Sequence, residues 1–84
     1  MEGQASISSD ILARYAADAA CEVAGVREAR KVKVDAEKVE LRLTVEWGVS
    51  IPALGREVQQ RVREYLARMA DIEPSVDVVV ERVA

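Results

Sequence analysis

Residues Lys38 to Trp47 alternate between polar and apolar side chains without a fault. Val39, Leu41, Leu43, Val45 and Trp47 fall on one side, and Lys38, Glu40, Arg42, Thr44 and Glu46 on the other. A period of two over this length is that of a β-strand with one dry and one wet face. The pattern predicts a strand over Lys38–Trp47 whose dry face the rest of the chain must cover.

The period changes to three and four beyond Gly48-Val49-Ser50. Leu54, Val58, Val62, Tyr65, Leu66 and Met69 recur at helical spacing, with Arg56, Glu57, Gln59, Gln60, Arg63 and Glu64 between them. Pro52 suits the first turn, where its missing N–H has no intrahelical acceptor. Asp71 tolerates the left-handed turn that ends a helix, and Pro74 prevents continuation. Glu57 with Arg61 and Glu64 with Arg68 are i,i+4 pairs in the favourable order, each contributing ~0.3 kcal/mol.

A first helix is predicted from Ser8, a good N-cap, to about Val23. Asp10 complements its dipole, and Ile7 with Leu12 occupy hydrophobic-staple positions. Leu12, Tyr15, Ala16, Ala19 and Val23 form its core stripe. Ala13, Ala17, Ala20 and Ala24 form a second stripe of small residues, read as contact with the other helix or with a second subunit. Gly25 supplies the left-handed cap. Lys31–Asp35 reads as a strand with Val32 and Val34 inward, joined to the long strand through Asp35-Ala36-Glu37 as an antiparallel hairpin. Ser75–Val83 is the last strand, with Val76, Val78 and Val80 inward and Asp77, Val79 and Glu81 outward. Gln4 to Ile7 contains one apolar side chain suited to a brief edge strand, and that reading stays open.

The order is (β)-α-β-β-α-β. The predicted class is α+β: a two-layer sandwich in one domain, with a mixed three- or four-stranded sheet and both helices on one face. The reverse face, with Glu40, Arg42, Thr44 and Val79, is left uncovered.

Composition narrows the chemistry. The 84 residues carry 12 basic and 15 acidic side chains, for a net charge of −3. That balance disfavours a dedicated nucleic-acid binder. Arg27, Arg30, Lys31 and Lys33 form a locally basic run, either a solvated edge or a contact for RNA or an anionic surface. Aromatic stacking platforms are absent from the wet strand face. The chain has no His and one Cys, Cys21. Ser–His and Cys–His nucleophile systems are therefore excluded, as is an internal disulfide, and a lone thiol cannot build a zinc or iron–sulfur site. Gly48-Val49-Ser50-Ile51-Pro52 lacks the glycines and Lys of a phosphate loop. No enzyme activity, cofactor or metal is expected. Neither a secretory leader nor a bilayer-spanning stretch is visible, so a cytoplasmic protein without direct membrane insertion is expected.

Three segments resemble the alkaline shock protein family of bacterial envelope stress response proteins. They are Ile7-Ser8-Ser9-Asp10 through Glu22-Val23-Ala24-Gly25-Val26; Val45-Glu46-Trp47-Gly48-Val49-Ser50-Ile51-Pro52 with Arg56-Glu57-Val58-Gln59-Gln60-Arg61-Val62; and Val76-Asp77-Val78-Val79-Val80. Ala24 stands where the family usually has Pro, and Trp47 where it has Tyr; Ala70-Asp71 replaces a common Thr-Gly. The resemblance implies a non-enzymatic cytoplasmic protein of envelope homeostasis that self-associates or docks on a separate membrane-anchored partner. The expected contact surface is Glu40, Arg42, Thr44 and Val79, followed by Arg27, Arg30, Lys31 and Lys33.

Overall fold

A computed structural model describes residues 9–35 and 37–84. The elements are α1 (Ser9–Cys21), β1 (Val26–Val34), β2 (Lys38–Val45), α2 (Ile51–Ala70) and β3 (Ser75–Val83). The sheet order is β1-β2-β3, with β1 antiparallel and β3 parallel to the central β2. This is the α+β sandwich that the periodicities predict. Gln4–Ile7 and the Ser8 cap lie outside the described residues.

Both helices cover the same side of the sheet. Val39, Leu41, Leu43 and Val45 of β2 are each 0% exposed, and they pack with Ala16, Ala19, Ala20 and Val23 from the α1 segment and Leu54, Val58, Val62 and Leu66 of α2. Full burial of one such Val or Leu side chain stabilises the fold by ~1.5–3 kcal/mol. The small residues of α1 let the helices approach, and Tyr15 meets Tyr65 edge-to-face with ring centroids 5.8 Å apart. Ala20 of the small-residue stripe is buried in this core, whereas Ala24 is exposed.

The caps follow the local sequence. Gly25 has φ +98° and closes the turn after α1, where Glu22 and Val23 donate to Ala19 and Ala20 at 3.2 and 3.1 Å. Asp71, at φ 58°, donates its N–H to the Ala67 carbonyl and ends α2. In the hairpin, Asp35 Oδ1 accepts from the Glu37 and Lys38 amides at 2.8 Å each, supplying the turn chemistry that Asn or Gly would normally provide. Gln59 Nε2 donates to the Val76 carbonyl at 3.0 Å and ties α2 to β3.

Four features depart from a regular pattern. β1 begins at Val26 rather than Lys31, and the register breaks between Val26 and Glu28 and again between Arg30 and Lys33, where Lys31 takes φ 51°. These bulges put Val26, Ala29 and Val34 opposite inward residues of β2 despite their irregular spacing. β2 ends at Val45, and Trp47 is 84% exposed instead of buried on the dry face. The alternation continues past the end of the strand into the turn at Trp47-Gly48, where α1 has ended and α2 has not begun. Met69, 43% exposed, lies at the equivalent loose end of α2. Finally, β3 slips register beyond Leu43, so Arg82 rather than Glu81 stands beside Thr44.

Candidate interaction surface

The reverse side of the sheet has no covering element among the described residues. Register identifies its members: Glu28, Arg30 and Lys33 from β1; Lys38, Glu40, Arg42 and Thr44 from β2; Ser75, Asp77, Val79 and Arg82 from β3. All are exposed except the half-buried Thr44. Val79 is 47% exposed at the middle of this face, where a solvated strand would ordinarily carry a polar side chain.

The charges separate into two zones. At the hairpin end, Lys38 Nζ lies 3.2 Å from a carboxylate oxygen of both Asp77 and Glu40. The hydrogen bond to Asp77, then that to Glu40, raises the lysine pKa above its usual value. A raised folded-state pKa stabilises the fold fully below the unfolded value of pH ~10.4, and that contribution fades as pH rises through the folded value. Removing the cation also leaves Glu40 and Asp77, a registered pair, facing each other as like charges. Lys38→Met is therefore expected to lower the melting temperature at neutral pH, more at low salt than at high salt. The deficit should shrink at strongly alkaline pH, as a thermal melt across a pH series would show.

The other zone is cationic. Arg30 and Arg42 are registered directly opposite each other. Arg30 has one loose contact, to Glu28 at 3.9 Å. Arg42, Lys33 and Arg82 have no ion-pair partner among the described residues.

Of the residues picked out from sequence, Glu40, Arg42, Thr44 and Val79 share this face, and Arg30 and Lys33 join them. Arg27 and Lys31 sit at the two β1 bulges, which divides the basic run. Arg82 and Glu28 were missed. No local signal marks a bulge in β3, and none extends β1 back through Glu28.

Concavities also lie elsewhere. A groove of about 520 Å³ is lined by Glu22, Glu57, Gln60, Arg61, Glu64 and other α2 residues. Arg61 crosses it to Glu22 at 3.6 Å and Glu57 at 3.9 Å. The predicted Glu64–Arg68 pair is replaced by a bond from Gln60 Nε2 to Glu64 at 3.1 Å. A cleft of about 330 Å³ at the far end of the sheet lies between Trp47, Val49, Ile51 and Val83. Among the described residues, no group of three or more metal-ligating side chains is placed to hold an ion, and no helix is long and apolar enough to cross a membrane.

These features define a small α+β domain with a covered and an open sheet side. Similar folds occur in solved structures of the MamM C-terminal domain. The cadmium form of one variant is 18% identical with a TM-score of 0.61, the match covering 89% of this chain and 98% of that one. The copper form of another is 16% identical with a TM-score of 0.62, covering 92% and 99%. At such identities the likeness is one of fold, and the metals belong to MamM. No curated protein matches the chain. The family model for alkaline shock protein 23, described as having a cell envelope-related function, matches residues 28–84. The chain belongs to that family.

Proposed function

We propose that this protein is a non-enzymatic, cytoplasmic interaction module with a role in cell-envelope homeostasis, and that it works by self-association or by docking on a partner protein that can be membrane-anchored. The contact surface is the open sheet face. The observation that carries the reading is that both helices cover one side of the sheet while the other presents Val79, Thr44 and Arg42 to solvent. Family membership supplies the envelope context. The absence of His and the presence of a single, exposed Cys21 support a role without covalent chemistry. The division of the basic run by its bulges weighs against a continuous nucleic-acid track through Arg27 to Lys33.

A photo-crosslinking residue introduced at Thr44 tests this in the native cell. Crosslinks to a second copy or to one recurring protein are expected from Thr44, and none from a matching probe at Arg56 on the helical side. A probe at Thr44 that captures nothing, together with a strictly monomeric mass by light scattering at high concentration, would overturn the reading.

A further inference from the structure

The cationic zone of the open face indicates what that face receives. We infer that it binds a short acidic protein segment whose carboxylates engage Arg42, Arg30 and Arg82. This inference rests on the open face being the contact surface.

The first support is an unfavourable arrangement in the free protein. Arg30 and Arg42 are cross-strand partners, and like charges directly opposite one another destabilise a sheet. Among the described residues, the one ion pair that either makes is the loose contact of Arg30 with Glu28 at 3.9 Å. Glu40 stands in register with Lys33, yet it pairs with Lys38, two residues back on its own strand. Arg42 is left at the centre of the face with a cation on one flank and Val79 on the other.

The second support is charge complementarity. The chain as a whole is at −3, whereas the open face carries Arg30, Lys33, Lys38, Arg42 and Arg82 against Glu28, Glu40, Asp77 and, at the bulge beside Arg82, Glu81. Once Lys38 is matched with its two acids, the remainder is a cationic band running across the strands from Arg30 through Arg42 to Arg82. Arg82 stands beside Thr44, two residues along β2 from Arg42, so the band bends; with strands about 4.8 Å apart and a rise of about 3.4 Å per residue, it spans roughly 12 Å. Guanidinium groups match carboxylates through two parallel N–H···O bonds. Two or three carboxylates within that width satisfy the band, and Val79 with the Thr44 methyl offers an apolar contact beside it.

The same geometry favours a protein segment over a nucleic acid or a lipid surface. A polyphosphate chain following the strands would meet the Glu40–Asp77 pair at the hairpin end. No aromatic side chain is available on this face for base stacking. A flat anionic bilayer needs an exposed, continuously basic surface, and this band is interrupted by Val79 and bounded by Glu28.

The test uses the full chain and a fluorescently labelled poly-glutamate peptide, followed by anisotropy. The peptide is expected to bind with an affinity that falls as salt rises. Arg42→Glu should weaken it by about tenfold or more. Arg56→Glu, an equal change in net charge on the opposite side, should leave it unchanged. The Thr44 crosslinks should diminish in an Arg42→Glu background. Equal loss in the two variants, or tighter binding of a single-stranded oligonucleotide or of anionic vesicles than of the peptide, would overturn the inference. Thr44 crosslinks that persist undiminished with Arg42→Glu would also overturn it, while leaving the open face as the contact surface.

Discussion

Leu43→Ala is expected to destabilise the fold by about 3–5 kcal/mol. Leu43 is 0% exposed at the centre of β2. Its registered neighbours are Ala29 on β1 and Val80 on β3. Truncation would put two alanines side by side across β1 and β2, with α1 and α2 above them. Neither small side chain can move into the space, so the cavity term is added to the lost transfer energy. A domain of this size has a total stability near the low end of ~5–15 kcal/mol. The substitution removes much of that reserve. Because 1 kcal/mol shifts the melting temperature of a 60–100-residue domain by ~4–8 °C, a fall of more than ~10 °C is expected. Circular dichroism melts check this, and a shift within a few degrees would mean that the sheet centre is not the core of the molecule.

The second large effect is expected at Gly25. Its φ of +98° is a conformation that L side chains rarely adopt. A Cβ there would lie 2.8 Å from Leu54 Cδ1 and 2.9 Å from Val49 Cγ1. Leu54 is itself 5% exposed in the core, so it has little room to yield. Gly25→Ala therefore combines backbone strain of ~1–2 kcal/mol with overpacking of ~1–3 kcal/mol. Gly48 provides the internal comparison: it has φ +92°, but a methyl group added there would meet nothing within 4 Å. Gly48→Ala should show the backbone cost alone. Urea denaturation of the two variants separates the contributions, and equal losses would show that the contact with Leu54 is harmless. The Gly25 carbonyl also accepts from the Glu46 amide at 2.8 Å, so strain there reaches the end of the central strand.

The parts of the fold that could be read from sequence are those with an uninterrupted period. β2 keeps strict alternation as far as Val45, and α2 keeps Leu54, Val58, Val62 and Leu66 on one stripe, all buried. β1 was only half legible. Its inward residues Val26, Ala29, Val32 and Val34 are spaced by three, three and two, because each bulge adds a residue that pairing with β2 absorbs. Such a spacing resembles neither a strand nor a helix until the partner strand is known. Trp47 continues the alternation of β2 in sequence. Its burial, however, depends on where α1 stops and α2 starts, which is information that belongs to other elements. The open face was inferable from the count of apolar stripes, one on each helix. Its charge pattern was not, since Arg82 reaches Thr44 only through the slip in β3. The family match likewise covers residues 28–84, beyond the N-terminal segment that formed part of the resemblance.

The irregular register of β1 also governs how this sheet can grow. A newcomer adding hydrogen bonds along its outer edge would lose step at Arg27 and again at Lys31. That border is a poor template for polymerisation. On the opposite border, β3 stays in step from Ser75 to Val80 and slips only beyond it. Over that regular stretch the protection against fibrous stacking falls to the charge of Asp77, with Glu81 just past its end.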